Sequence, residues 1–161
     1  MGGTISFHPA SEADFEPLLA LRIAVMRPHL ERLGRFEPER ARARFRAGYD
    51  PAWLRLIHEA GVFAGCVSLK PAGEGLLLEH FYLPPEAQGR GLGAAVLALL
   101  LAEADRAGKA VRLGVLRDSP AARFYERHGF RFTRADAWDR YYERPPGGRA
   151  GGALSSPPPS A

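Results

Sequence analysis

A glycine-rich segment, Gln88–Gly93, lies between a short apolar run and a long Ala/Leu-rich run of the chain. The apolar run, residues 76–83, is closed by two prolines and predicts a buried strand. The Ala/Leu-rich run, residues 94–107, predicts a helix that begins at the glycines. The first N–H groups of a helix lack intrahelical acceptors, and glycine lets this backbone approach an anion closely. The segment therefore predicts a phosphate-binding turn.

Two common phosphate-binding glycine patterns do not fit this segment. A Walker A loop ends in Gly-Lys-Ser/Thr, and the segment contains no lysine. The dinucleotide pattern needs G-x-G-x-x-G, whereas Gly89, Gly91 and Gly93 are each two residues apart. The pattern that remains is Q-x-x-G-x-G, and a plain structural turn is its alternative interpretation.

Two motifs together indicate a family. The glycine segment resembles the pyrophosphate-binding signature of the GCN5-related N-acetyltransferase (GNAT) family, Q/R-x-x-G-x-G/A. The segment Asp118–Phe130 resembles a later family motif, N-x-x-A-x-x-F-Y-x-x-x-G-F. Asp118 replaces the usual Asn, and the matching positions are Ala121, Phe124, Tyr125, Gly129 and Phe130. The motifs follow the family order, and the resemblance covers roughly residues 56–144.

The resemblance implies an N-acetyltransferase that uses acetyl-CoA as cosubstrate, with no metal, and acetylates a primary amine of a small molecule or peptide. In the family fold the fourth and fifth strands splay apart, and the pantetheine arm inserts between them. Backbone groups of Phe81, Tyr82 and Leu83 would pair with this arm, with the Leu83 N–H as oxyanion donor. The pyrophosphate would be held by Gln88, Gly89, Arg90, Gly91, Leu92, Gly93 and Ala94. The side chains of Phe81 and Leu83 are expected to pack in the core.

Tyr125 is the general acid that the resemblance implies. A phenol with an ordinary pKa near 10 is protonated at pH 7 and can donate its proton to a departing thiolate. The alternative is that Tyr125 anchors its helix on the core beside Phe124. A non-catalytic acyl-CoA-binding or sensing module with the same fold is the alternative for the whole chain.

Glu79 is the candidate general base. It interrupts an apolar strand, where a carboxylate is costly without a purpose or a partner. An amine with a pKa near 10.4 is neutral in only about one molecule in a few thousand at pH 7, so a base would help. Regular alternation predicts that Glu79 faces the side of Phe81 and Leu83, and that His80 faces the opposite side with Tyr82. A salt bridge to an arginine is the alternative role for Glu79, and packing is favoured for His80.

In this family the acceptor pocket is built from the first two helices and the last hairpin. These correspond here to Met26–Arg46 and Trp138–Tyr142. Three arginines of Met26–Arg46 could bind a carboxylate of the acceptor or form a solvated helix face. Three aromatic residues of Trp138–Tyr142 could line the pocket or belong to the core. The arginines are Arg27, Arg32 and Arg35, and the aromatic residues are Trp138, Tyr141 and Tyr142.

Periodicity and turn residues predict the element order β-α-α-β-β-β-α-β-α-β-β. Ser11 with Asp14 predicts a helix N-cap, and Pro28 is expected to bend or end that first helix. Pro38 suits the first position of a second helix, Glu39–Ala47. This order predicts an α/β fold with a mixed, mostly antiparallel central sheet and helices on both faces, as in the GNAT acyltransferases.

Length and composition fit one globular domain. The chain has 161 residues, of which 46% are hydrophobic. We expect the domain to span residues 1–144 and residues 145–161, rich in Pro, Gly and Ser, to be a disordered tail. The longest strongly apolar run, Leu92–Ala102, is too short to span a bilayer, and no N-terminal signal is evident, so no membrane association is expected.

The cysteine, charge and histidine patterns do not favour a reactive thiol, a nucleic-acid-binding protein or a metal site. The lone Cys66 lies in an apolar strand-like run and is expected to be a buried, inert thiol in a cytoplasmic protein. The net charge is +4, but the basic residues are scattered, which does not favour nucleic acid. The five histidines lack metal-ligand spacing. We also allow for a homodimer.

Overall fold

The computed structural model describes residues 3–147. Within them the chain forms seven strands and four α-helices in the predicted order, with two short 3₁₀ turns at Glu12–Asp14 and Pro85–Ala87. The strands are β1 Ile5–Pro9, β2 Leu54–Glu59, β3 Val62–Ala72, β4 Gly75–Tyr82, β5 Val111–Leu116, β6 Arg131–Ala135 and β7 Asp139–Arg144. The helices are α1 Phe15–Arg32, α2 Pro38–Gly48, α3 Leu92–Ala107 and α4 Ala121–Glu126.

The strands form one open sheet in the order β1-β2-β3-β4-β5-β7-β6. Strand β2 is antiparallel to both β1 and β3, and β7 is antiparallel to both β5 and β6. Strands β4 and β5 are parallel, with Leu76 opposite Val111 and Leu77 opposite Arg112. A seven-stranded, mostly antiparallel sheet with helices confirms the predicted fold class.

The described residues divide into two compact units. The first contains residues 3–69 and 78–96, and the second contains residues 70–77 and 97–147. Strands β3 and β4 and helix α3 each contribute residues to both units. The core of the first unit combines helix, strand and loop residues, among them Phe15, Leu18, Leu21, Phe45, Leu54, Cys66 and Tyr82. Buried residues of the second unit include Leu100, Ala104, Val111, Leu113, Phe130 and Tyr142.

The beginning of α1 confirms the predicted cap. The Ser11 N–H donates to Asp14 Oδ2 at 2.8 Å, which completes a capping box before Phe15. Of the two predicted effects of Pro28, a bend or an end, the end does not occur, because α1 continues to Arg32. Pro28 provides no N–H for the carbonyl of Ala24, but Ala24 is exposed, so water can satisfy that carbonyl.

Helix α2 and the last two strands follow the sequence closely. Pro38 occupies the first turn of α2, and the buried residues of this helix are Ala41 and Phe45. Helix α4 has six residues, and Gly129 shortly after it has the left-handed conformation that often follows a helix, with φ of +94°.

Near the end of the described chain, Arg144 forms two hydrogen bonds with Asp105, at 2.9 and 3.1 Å. The Gly147 N–H also donates to Asp105, at 2.8 Å. The part of the predicted tail from residue 148 onward lies outside the described residues. Among residues 3–147, no helix combines the length and apolar character that a bilayer crossing requires.

Candidate functional site

The glycine segment forms the turn that precedes α3. The Ala95 N–H donates to the Gly91 carbonyl at 3.1 Å. The N–H groups of Leu92, Gly93 and Ala94 therefore lie in the first helical turn, where intrahelical acceptors are lacking. Helix α3 is 16 residues long, so its N-terminus carries the positive end of a substantial dipole.

Two glycines keep the approach to this turn open. Gly89 and Gly91 have φ of +75° and +84°, a region that residues with a side chain rarely adopt. A Cβ built at either position meets no atom within 4 Å. The backbone therefore carries no side chain at either position, next to the N–H groups of the first turn of α3.

The side chains that precede these two glycines, Gln88 and Arg90, bind other parts of the protein. Gln88 Nε2 donates to the Leu83 carbonyl at 2.7 Å, which joins the segment to the residue after β4. Arg90 Nη2 donates to Glu59 Oε1 at 3.0 Å, and the Gly3 N–H donates to Glu59 Oε2 at 3.2 Å. The Arg90 guanidinium holds the pKa of the Glu59 carboxyl below its usual value. Glu59 was not predicted from the sequence, where its only signal is an acid at the end of a strand.

Strand β4 is irregular at the predicted catalytic position. His80 has φ of +53°, whereas residues of a regular strand have strongly negative φ. Glu79 Oε1 lies 3.9 Å from His80 Nε2, although neighbouring side chains of a regular strand point to opposite faces. The left-handed residue interrupts the regular alternation that the prediction for Glu79 and His80 assumed, although His80 keeps its predicted neighbour Tyr82, whose hydroxyl lies 3.4 Å from His80 Nδ1.

A buried polar group surrounds the end of β4. The Tyr82 hydroxyl lies 3.4 Å from His80 Nδ1 and accepts a hydrogen bond from the Arg22 guanidinium. The Cys66 thiol donates to the His80 carbonyl at 3.3 Å. Burial raises the pKa of Tyr82 to about 12, against the opposing effect of the Arg22 charge. Arg22 was not predicted as part of this group, although an arginine in the apolar stripe of α1 was a visible signal.

Cys66 has the predicted character. Its side chain is fully buried, and burial raises the pKa of its thiol to about 12. The thiolate, which is the reactive form, is therefore rare at neutral pH. Phe81 and Leu83 differ from expectation, because both are only half-buried, whereas Tyr82 between them is buried.

Tyr125 belongs to the second unit and lies on α4. It is 9% exposed, and its ring packs against Phe124 and Phe130, with centroid distances of 5.1 and 5.5 Å. The Tyr125 carbonyl accepts hydrogen bonds from the N–H groups of His128 and Phe130. Tyr125 is thus well packed, and it occupies the position of the family motif in a short helix.

The predicted acceptor residues have varied surroundings. Arg27 pairs with Glu31 at 2.8 Å and lies over the ring of Phe36, 4.6 Å from its centroid. Arg32 lies 3.0 Å from His29 Nδ1. Of the three aromatic residues, Tyr142 is a core residue at 2% exposure, Trp138 is 42% exposed, and the Tyr141 hydroxyl donates to Asp136 at 2.8 Å. No group of three or more potential metal ligands occurs within residues 3–147.

The sequence pattern of the acetyltransferase (GNAT) domain family matches residues 52–132, about half of the chain, and the chain therefore belongs to this family. The match includes the glycine segment, Glu79 and Tyr125. No curated protein sequence matches the chain.

Solved structures confirm the fold. The PaiA N-acetyltransferase of Thermoplasma acidophilum, determined with coenzyme A, is similar with a TM-score of 0.69 and 20% identity, over 88% of this chain and 99% of that chain. An acetyltransferase of Thermus thermophilus is similar with a TM-score of 0.68 and 22% identity, over 88% of this chain and 97% of that chain. The N-acetylglutamate synthase of Neisseria gonorrhoeae was determined with coenzyme A and N-acetyl-glutamate. It is similar with a TM-score of 0.61 and 20% identity, over 89% of this chain and 35% of that chain.

Proposed function

We propose that this protein is an acetyl-CoA-dependent N-acetyltransferase that transfers an acetyl group directly to a primary amine of a small molecule or peptide. The observation that carries the proposal is the turn before α3, where Gly89 and Gly91 expose bare backbone at the N-terminus of a long helix. Family membership and the coenzyme A complexes of similar structures support the same cosubstrate.

The chain offers backbone groups for each part of the cosubstrate. The N–H groups from Gly89 to Ala94 would bind the diphosphate through the helix N-terminus, whereas the Gln88 N–H already donates to the Pro85 carbonyl at 3.1 Å. Main-chain groups of Phe81, Tyr82 and Leu83 would align the pantetheine arm, and the Leu83 N–H would donate a hydrogen bond to the acetyl oxygen. Bound acetyl-CoA supplies the activated acetyl group and a thiolate as leaving group.

Two side chains would move protons. Tyr125 would hold a proton on its hydroxyl and donate it to the departing thiolate. Glu79 would accept a proton from the ammonium form of the acceptor, directly or through water. The Glu79 carboxylate lies next to a partly buried imidazole, with 3.9 Å between Glu79 Oε1 and His80 Nε2.

The first test is a screen of amines and short peptides for release of free coenzyme A thiol, together with calorimetric titration of acetyl-CoA. We expect binding, with thiol release for at least one class of primary amine. Binding without release from any acceptor would instead indicate an acyl-CoA-binding module. Absence of binding would overturn the proposal.

The proposal also includes a cytoplasmic location, no metal, and no nucleic-acid partner, with a monomer or homodimer as the assembly. Elemental analysis of the purified protein, and sedimentation with and without acetyl-CoA, test the metal content and the assembly.

A further inference from the structure

In the candidate diphosphate segment, residues whose side chains bond to the protein alternate with glycines. Gln88 and Arg90 each hold the protein through their side chains, and Gly89 and Gly91 follow them at positive φ with open space beside them. Glycine provides bare backbone but gives little conformational restraint. We therefore look to the side-chain contacts of Gln88 and Arg90 for restraint on this segment.

The two side-chain contacts reach different parts of the first unit. Gln88 binds the Leu83 carbonyl, which lies five residues earlier in the chain. Arg90 binds Glu59 at the end of β2, which lies 31 residues earlier. The second contact thus fixes the segment to a separate strand, and it is the contact that resists movement of the segment as a whole.

Glu59 is well placed for such a role. Its side chain is only 12% exposed, whereas that of Arg90 is 49% exposed. Its second carboxylate oxygen accepts the Gly3 N–H, so the carboxylate is itself held on both sides. A fixed, shielded carboxylate orients a guanidinium more precisely than a mobile surface acid does.

We propose that Glu59 is a positioning residue for cofactor binding: by holding Arg90, it orders the backbone of Gln88–Ala94 before the diphosphate arrives. This inference rests on the proposed function. Ordering the segment in the free protein reduces the entropy lost on binding and so increases affinity. Arg90 then acts as a tether rather than as a direct ligand of the phosphate groups.

Charge effects have to be separated from tethering. Glu59→Gln removes a negative charge near the segment and by itself favours an anionic ligand, whereas Arg90→Ala removes a positive charge and disfavours it. The double variant Glu59→Gln/Arg90→Ala has the net charge of the natural chain. Its loss of affinity therefore measures the tether alone.

The experiment is calorimetric titration of the full chain with coenzyme A at two salt concentrations, which requires no turnover. We expect the double variant to bind about three- to tenfold more weakly, the range expected when one or two side chains must be ordered on binding. Glu59→Gln should also bind coenzyme A more weakly than the natural chain. Arg90→Lys, which keeps the ion pair, should bind with most of the natural affinity. In free Glu59→Gln, amide exchange of residues 88–94 should be faster than in the natural chain.

The matched control is Glu16→Gln. It breaks another long-range ion pair, between Glu16 and Arg42, in which hydrogen bonding to the arginine likewise lowers the pKa of the carboxyl. This variant should bind coenzyme A normally.

Three outcomes would overturn the inference. Tighter binding of coenzyme A by Glu59→Gln would indicate that Arg90 contacts the phosphate groups directly and that Glu59 holds it away from them. Natural affinity of the double variant, even with a lower melting temperature, would leave the pair a purely structural contact. Equal loss in Glu16→Gln would show that the effect is not specific to this pair. If the natural chain itself does not bind coenzyme A, the proposed function fails rather than this inference.

Discussion

The turn before α3 and the helix that carries Tyr125 offer two different kinds of candidate site. At the turn, a Cβ added at Gly89 or Gly91 would meet no atom within 4 Å, and the side chains of Gln88 and Arg90 bond to the protein itself. At Tyr125 the candidate group is itself a side chain, buried among aromatic neighbours. The first site would act through backbone groups that no side chain covers, and the second through the hydroxyl of one side chain.

This difference decides how each role can be tested. A backbone site cannot be removed by truncating a side chain, but it can be blocked by adding one. A side-chain site can be removed, but its removal also disturbs packing, so catalysis and stability must be measured on the same sample.

Gly91→Val should have the largest effect. A branched side chain would occupy the open space and resist the φ of +84°. We expect acetyl-CoA affinity to fall by at least about 10²-fold, because backbone hydrogen bonds to a charged group contribute about 1.5–3 kcal/mol each. Calorimetric titration measures this loss.

Gly61→Val is the control for backbone strain. Gly61 has a similar φ of +81° and similarly open space, but it lies in the hairpin between β2 and β3. It should lose stability as Gly91→Val does and still bind acetyl-CoA. Normal affinity in a folded Gly91→Val protein would remove the turn from the proposed site.

Tyr125→Phe should have the next largest effect. The ring and its contacts remain, while turnover should fall about 10²-fold or more if the hydroxyl donates a proton to the thiolate. Affinity for acetyl-CoA should change little, because the proposed diphosphate site is elsewhere. Turnover per folded molecule and the free energy of unfolding are measured on one preparation.

Tyr49→Phe is the matched control for loss of a phenol hydroxyl. The Tyr49 hydroxyl donates to the Ser11 carbonyl at 2.6 Å, so its removal should lower stability without lowering turnover. If Tyr125→Phe behaves in the same way, Tyr125 is an anchor, and the contrast between the two candidate sites disappears.

The sequence predicted the order of elements and the position of the glycine turn because both depend on local signals. Alternating and helical apolar periods, prolines and paired glycines mark the boundaries, and the capping box at Ser11 needs only four residues. Three features depended on tertiary structure and were missed: the left-handed conformation of His80, the ion pair between Glu59 and Arg90, and the hydrogen bond from Arg22 to Tyr82. The two side-chain contacts join residues that are far apart in the sequence, and the conformation of His80 departs from the regular strand that the apolar run predicts.

Glu79→Gln should have a smaller, pH-dependent effect on turnover. The amide keeps the size of the side chain but cannot accept a proton from the acceptor amine. Turnover should fall at neutral pH and recover in part at high pH, where more of the amine is neutral without help. A uniform loss from pH 6 to pH 10 that follows the loss of stability would instead assign Glu79 a structural role beside His80.

Tyr82→Phe should have the smallest effect on function, and it separates the backbone from the side chain at one position. Only the main chain of Tyr82 is proposed to contact the cosubstrate, so acetyl-CoA affinity should not change. The free energy of unfolding at pH 7 should fall by about 1–3 kcal/mol, because Arg22 and His80 lose a buried hydroxyl partner.

The pH dependence of this stability loss provides a second measurement. In the unfolded chain a tyrosine ionises near pH 10, whereas burial raises the pKa of Tyr82 to about 12 in the folded protein. Its contribution to stability is therefore complete below pH 10 and is lost as the pH rises toward 12. The stability of Tyr82→Phe should accordingly approach that of the natural chain over this range in urea unfolding experiments. Some alkaline loss should persist in the variant, because burial also raises the pKa of Tyr49 to about 12. A stability difference that stays constant to pH 12 would show that the Tyr82 hydroxyl is not held in its neutral form by burial.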